Sequence, residues 1–364
     1  MSVLNHITLE NFKSIKKLDL DLKPLNVFIG ANGAGKSNFV GVFNFLNELV
    51  EGNLQTYTGT SGGANSILYF GIKRSDSLSF DLSLDDNTKG YRCVLKPTVH
   101  DSFIIDEELF WIIDEGGHKE HSMFLGNNNT ESAIQKTLTD TQYVPFKEIC
   151  PLLKSWKIYH FHDTTNSAAI KQTSDIENNR ILLPDGGNLA AFLYMLSKKY
   201  PVHFDNIQDA IRMVAPFFDR FVLEPSQLNE DKIRLEWKHK GTSDYFNASS
   251  LSDGTLRFMC LATLLLQPAL PSIILLDEPE LGLHPYAVAV LAGLLRSASK
   301  NSQVIIATQS VTLVNQFEPE DIVVVERDKE QSIFRRLDKS NITEWLEDYG
   351  LGDLWEKNIL GGRP

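Results

Sequence analysis

Apolar residues in this chain recur in two periods, and the changes of period mark its elements. Leu18, Leu20 and Leu22 alternate with charged residues, the period-two pattern of a half-buried strand, and His6 to Ile15 reads as strand too. Leu25-Asn26-Val27-Phe28-Ile29 is instead a nearly continuous apolar run of buried-strand length. From Asn38 to Leu46 the apolar positions take helical spacing. Residues 52 to 70 are rich in Gly, Ser, Thr and Asn and predict a loop entering a strand at Ile67–Phe70. Leu78–Leu84, Tyr91–Leu95, Phe103–Ile105 and Phe110–Ile112 alternate again. Turn signals at Asp85-Asp86-Asn87 and Gly116-Gly117 separate them, which predicts an antiparallel meander. Residues 131 to 200 predict helices broken at Pro145, Pro151 and Pro184. Leu189 to Leu196 and Ile207 to Phe218 keep helical spacing, as core-facing helices of an insertion or as a partner-binding helix. No heptad register persists there. Ile273–Leu276 and Val304–Ala307 are two more buried strands, and strands return at Ile322–Val325 and Ser332–Phe334.

Several of these runs end in residues that carry chemistry. After Ile29 comes Gly30-Ala31-Asn32-Gly33-Ala34-Gly35-Lys36-Ser37, the GxxxxGKS form of a phosphate-binding loop, set between a strand and a helix. The glycines let Asn32, Gly33, Ala34, Gly35 and the residues through Asn38 turn backbone N–H groups toward phosphate oxygens at a helix N-terminus. Lys36 is expected to reach the β- and γ-phosphates of a nucleoside triphosphate and Ser37 to hold Mg²⁺. The strand Ile273–Leu276 runs into Asp277-Glu278-Pro279-Glu280. Two acids directly after a core strand suit a metal ligand, Asp277, beside a base-like group for the attacking water, Glu278.

Composition narrows the classes little. The 364 residues are 42% hydrophobic and 23% charged, as for a soluble globular protein. The formal charge of −12 argues against bulk, sequence-blind nucleic-acid binding, though not against a local basic strip. Cys93, Cys150 and Cys260 are too scattered for a disulfide or zinc framework. Neither a cationic-then-apolar leader nor an apolar run of membrane-spanning length is present, so a cytoplasmic protein with no membrane partner is expected. His160 and His162 could form a metal pair on one strand face, but no third ligand is evident nearby, and a packed or surface role is the alternative. Lys232 to Lys240 alternates apolar with mostly basic residues and offers either a phosphate-backbone contact or a solvated outer face.

The stretch from Leu9 to Val40 resembles the start of the RecF/SMC-like branch of the ABC ATPases, with Asn11-Phe12-Lys13-Ser14 ahead of a GxNGxGKS loop. The resemblance implies a P-loop NTPase of the ABC-ATPase head type. Its α/β fold would be a mixed sheet with an antiparallel β-subdomain and a mostly helical insertion. It places Lys13 near the nucleotide. Leu251-Ser252-Asp253-Gly254-Thr255 resembles the ABC signature, so Ser252 and Gly254 are expected to meet ATP held by a second copy in a head-to-tail homodimer. Gln309 stands where relatives commonly have a phosphate-sensing histidine; it can donate a hydrogen bond but cannot carry a proton. Gln55 is the sole glutamine near the expected glutamine loop, and its flanks do not match. Only about fifty residues follow Gln309, too few for the TOPRIM nuclease domain of the related overcoming-lysogenization-defect nucleases. One head is therefore expected, with an N-terminal lobe at 1–125, an insertion or lid at 126–245 and a C-terminal lobe at 246–364. The resemblance also implies DNA repair or antiphage defence with a separate nuclease or other effector, and DNA as a further partner. A slow regulatory ATP-binding scaffold and a transporter ATPase are the alternatives.

Overall fold

A computed structural model describes residues 3–113, 119–134 and 144–363. The expected turn at Gly116-Gly117 and the part of the helical reading over 135–143 lie outside the described residues. Leu4–Phe12 (β1), Ile15–Asp21 (β2) and Leu25–Ile29 (β3) open the chain. Helix Lys36–Glu51 (α1) follows, then short helices Leu54–Thr60 (α2) and Ala64–Ile67 (α3). Leu78–Leu84 (β4), Lys89–Pro97 (β5), Phe103–Ile113 (β6) and Lys119–Gly126 (β7) form the meander. Val144–Ser155 (α4), Lys157–Tyr159 (β8), Ser174–Asp175 (β9), Leu189–Lys199 (α5), Pro201–Val214 (α6) and Phe218–Val222 (β10) come next. Lys232–Ile233 (β11), Glu236–His239 (β12), Tyr245–Asn247 (β13) and Asp253–Leu266 (α7) lead to Ile273–Asp277 (β14). Pro285–Ala298 (α8), Gln303–Thr308 (β15), Val311–Val314 (α9), Ile322–Asp328 (β16), Gln331–Arg336 (β17) and Leu351–Glu356 (α10) complete it.

Two six-stranded sheets carry the architecture. The antiparallel one runs β2-β1-β4-β5-β6-β7, and the mixed one runs β17-β16-β3-β15-β14-β8. Within the mixed sheet β16, β3, β15, β14 and β8 are parallel, and β17 turns back antiparallel. The parallel strands are the apolar runs of the sequence, and every residue of β3 and β15 is buried. Period-two alternation sends Phe28, Leu275 and Ile305 to one face and Val27, Ile29, Leu276 and Ile306 to the other. The first face packs with α1 and the antiparallel sheet; the second packs with α5 to α8. Gln303 joins the two sheets: its Oε1 accepts from Leu4 N at 3.2 Å, and its Nε2 donates to Leu4 O at 2.8 Å.

Two local expectations are corrected. Residues 52 to 70 hold helices α2 and α3 rather than a loop entering a strand, because remote carboxylates cap both. Glu131 accepts from Leu54 N and Gln55 N at 2.7 and 3.0 Å, and Asp101 Oδ1 accepts from Asn65 N at 2.7 Å. Pro151 lies inside α4 instead of ending it. The helix is held to α1 by the edge-on packing of Phe43 with Trp156 and by Asn47 Nδ2 donating to Trp156 O at 3.2 Å. Within the stretch from 126 to 245, Lys157–Tyr159 pairs with β14 as the edge strand of the mixed sheet.

Candidate functional site

The chemistry gathers at the C-terminal ends of β3, β14, β15 and β8, where parallel strands of an α/β sheet leave a crevice. The phosphate loop links β3 to α1. A Cβ on Gly30 would sit 2.2 Å from Val325 O, so β16 presses on the loop too closely for any side chain there. Gly35 has a φ of 120°, and a Cβ there would meet Ser332 Oγ at 2.2 Å. Ser332 in turn braces the loop, its hydroxyl donating to Ala34 O at 2.5 Å and bonding Ser14 Oγ at 2.7 Å. Asn38 Nδ2 donates to Ser14 Oγ at 2.6 Å. That amide is therefore engaged in the brace, and Asn38 is placed as a support of the loop rather than in the cavity beside it.

Lys36 is buried, and its ammonium donates to Gly30 O at 2.5 Å and Ala31 O at 3.1 Å. Burial lowers its pKa; the negative fields of Glu278, Asp277 and Glu280 work against that shift. On one side of the loop lies a cavity of about 600 Å³ into which Lys13, Ser37, Asp277 and His160 open. Burial lowers the pKa of Lys13, and enclosure by the walls followed by the nearby His162 lowers that of His160. On the other side Asn32, Gly33 and Ala34 line a second cavity of about 430 Å³, with Arg327, Asn358 and Arg363 across from them. The expected binding residues thus divide between two hollows, with the buried lysine between them.

Glu278 follows β14 with a φ of 45°, an uncommon conformation for a side-chain-bearing residue. Its N–H donates to Ala307 O at 2.7 Å, and its Oε1 accepts from Gln309 Nε2 at 2.5 Å. Gln309, the first residue after β15, therefore aims the carboxylate of Glu278. Behind this pair Glu280 accepts from Thr308 Oγ1, while its Oε2 is buried without a hydrogen-bond partner. Burial pushes the Glu280 carboxyl up to about 7.

The serine turn is built differently. Ser252 caps α7, its Oγ accepting from Thr255 N at 3.2 Å, and lies exposed. Gly254 is required by a close approach, since a Cβ would meet Gly282 O at 2.3 Å. Neither Ser252 nor Gly254 lines the cavities beside the chain's own phosphate loop. Gln55 also lies away from them: its Nε2 is spent on Phe103 O at 3.0 Å and Thr130 O at 2.5 Å.

Two histidines, read from the sequence as a possible metal pair or as packed or surface residues, lie at the site instead. His160 ends the edge strand β8 and shares the larger cavity with Ser37 and Asp277, while His162 Nε2 donates to Asp277 O at 2.8 Å. Their positions follow from a three-residue strand too short to show periodicity. The possible metal pair finds no third ligand, since no cluster of three metal-ligating side chains occurs among the described residues. Arg257 of α7 donates to Phe161 O at 3.2 Å, His162 O at 2.8 Å and Leu281 O at 2.8 Å, strapping the histidine loop to the loop after Glu278.

Residues 25–315 match the sequence family described as "AAA domain, putative AbiEii toxin, Type IV TA system". The chain belongs to this family. Over 44 residues it is 48% identical to the DNA replication and repair protein RecF of Lactobacillus acidophilus, a match covering 12% of this chain and 12% of that protein. Among solved structures, an Smc head bound to the C-winged helix domain of ScpA superposes with a TM-score of 0.58 at 17% identity, covering 93% of this chain and 98% of that one. An Smc head with an extended coiled coil, bound to the C-terminal domain of ScpA and derived from Pyrococcus furiosus, gives 0.54 at 16% identity over 96% and 99%. An Smc head with a coiled coil and joint from Pyrococcus yayanosii gives 0.53 at 13% identity over 96% and 99%. At such identities these likenesses concern the fold, which is that of a RecF/SMC-like ABC-type ATPase head.

Proposed function

We propose that this family member binds ATP with Mg²⁺ and hydrolyses it between two copies arranged head to tail. The convergence of Lys36, Ser37, Asp277 and the Glu278–Gln309 pair on one sheet end carries the reading. A hydroxyl and a carboxylate opening into one cavity are hard oxygen donors, which fit Mg²⁺. Ser37 and Asp277 would hold the ion, which when bound draws off charge developing on the phosphate oxygens. Lys36 would exchange the carbonyls of Gly30 and Ala31 for phosphate oxygens. Backbone N–H groups from Asn32 to Ser37 would cradle the phosphates. Glu278 would orient the attacking water and accept its proton, held in aim by Gln309, which itself carries none. Lys13 would screen phosphate charge in the larger cavity, and His160 would face the same reacting end. Ser252, exposed at the N-terminus of α7 and lining neither cavity beside its own loop, would suit the phosphate held by a partner copy.

This reading treats residues 1–364 as one head, with β8 tying the middle third to the sheet. Coupling to DNA repair, to defence with a separately encoded nuclease or to another effector is consistent with the family description and the RecF likeness. A cytoplasmic location belongs to the same reading, and among the described residues no helix is long and apolar enough to cross a membrane. The Gln309–Glu278 bond favours a second version, a slowly turning regulatory scaffold, because a carboxylate already engaged is a weaker base. Phosphate release by the wild type beside Glu278→Gln separates the two. A rate abolished by the substitution identifies the enzyme, whereas tight ATP binding without a rate above background identifies the scaffold. Full ATP affinity in Lys36→Ala would refute both.

A further inference from the structure

A cavity of about 540 Å³ lies on the opposite face of β8 from the nucleotide cavity. Tyr159, Leu182, Phe192, Met195, Leu270 and Pro271 give it an apolar floor and walls. Lys154, Lys157, Arg180 and Lys199 stand at it, and no Asp or Glu lines it. Acids outnumber bases by 47 to 35 in the whole chain, so an acid-free wall with four cations is a local reversal of charge. Lys154 lies 3.4 Å from Glu51, whereas among the described residues the other three have no carboxylate partner. Three unpaired cations beside an apolar hollow repel one another, and an anion with an apolar body would relieve that repulsion. The hollow is walled rather than an open sheet edge, because Asn179 to Leu182 flank it on one segment and Gln267 to Pro271 on another. Its size falls in the range of small-molecule sites, roughly 300–1,000 Å³.

The geometry points to a second binding site here, for a small organic anion with an apolar body, held by Arg180, Lys157 and Lys199 at its charged end and by Phe192 and Tyr159 along its length. The site is distinct from the nucleotide cavity. Tyr159 lines the one and Ile158 and His160 line the other, so the edge strand of the sheet is the wall between them, with Lys157 at its start bordering both.

The probe is 8-anilinonaphthalene-1-sulfonate, titrated into the folded full chain and followed by fluorescence. One saturable site per chain is expected, displaced by decanoate and not by decylamine of the same alkyl length. The double variant Arg180→Ala/Lys199→Ala removes two charge-assisted contacts from exposed positions and is expected to weaken the probe about tenfold. Met195→Trp, which fills the hollow, is expected to abolish binding. The control Lys232→Ala/Lys238→Ala removes as much charge elsewhere and is expected to bind as the wild type does. Wild-type affinity in the Arg180/Lys199 double variant, an equal loss in the control, or equal displacement by decylamine overturns the proposal. Lys36→Ala retains the probe site even though ATP binding is lost, so failure of this site and failure of the proposed ATPase reading are told apart.

Discussion

The phosphate loop and the serine turn at the head of α7 are both glycine-bearing turns that open onto helix N-termini, yet they are finished in opposite ways. The loop is braced from inside by Ser332, Ser14 and Asn38, and its lysine is folded onto the loop's own carbonyls. The serine turn is packed on its inner side by Gly282, strapped by Arg257, and left open on its outer side. One turn is complete in its own chain; the other presents donors outward. That contrast underlies the proposal of two half-sites.

The heaviest blow to the comparison is Lys36→Ala, which is expected to weaken ATP binding at least about a hundredfold by calorimetry, since a buried charge-assisted contact is lost. Retained affinity would mean that the braced turn is not the nucleotide's seat. Glu278→Gln is expected to cut turnover by about 10²–10³ while preserving ATP binding and lengthening the life of an ATP-held dimer, read by light scattering. Ser252→Arg blocks the open turn and is expected to abolish turnover with ATP affinity of the single chain kept. Mixing inactive Ser252→Arg with inactive Lys36→Ala then leaves one intact composite site in each mixed dimer, so about a quarter of wild-type turnover returns. No return would end the head-to-tail arrangement. Ser332→Ala, which loosens the brace, is expected to cost about 1–2 kcal/mol in denaturant melts and a few-fold in ATP affinity.

The smallest expected effect concerns pH. The Glu280 carboxyl is raised from 4.5 to about 7, so the folded state holds a proton that the unfolded chain has released. Its stabilising contribution is present below pH 4.5 and is lost as pH rises through about 7. Glu280→Gln keeps a neutral side chain and is expected to raise the melting temperature at pH 8 by about 2 °C while changing little at pH 5. A wild-type melting temperature that climbs between pH 5 and pH 8 more steeply than that of the variant would reverse the assignment.

The braced turn was legible because its signals are local: an all-buried strand, a glycine loop with lysine and serine, then helical spacing. Asp277 and Glu278 were legible for the same reason, placed at the end of a buried run. What was lost is non-local. Helices α2 and α3 depend on carboxylates at Glu131 and Asp101, far along the chain from the N-termini they cap. His160 reaches the cavity from a strand of three residues, too short to alternate visibly. Gln309 stands out in the sequence as a substitution, but its bond to Glu278 spans 31 positions and requires the parallel pairing of β14 and β15.

The strap made by Arg257 has a consequence for how this protein can vary. All three of its contacts end on main-chain carbonyls, at Phe161, His162 and Leu281. Every amino acid supplies the same carbonyl, so the strap tolerates any exchange at those three positions that leaves the backbone path unchanged. The arginine has no such freedom, because a lysine offers a single ammonium where a planar fork now reaches three acceptors. Side chains around the histidine loop can therefore drift while one distant residue on α7 stays fixed, so the loop's composition is a poor guide to relatives that share its geometry.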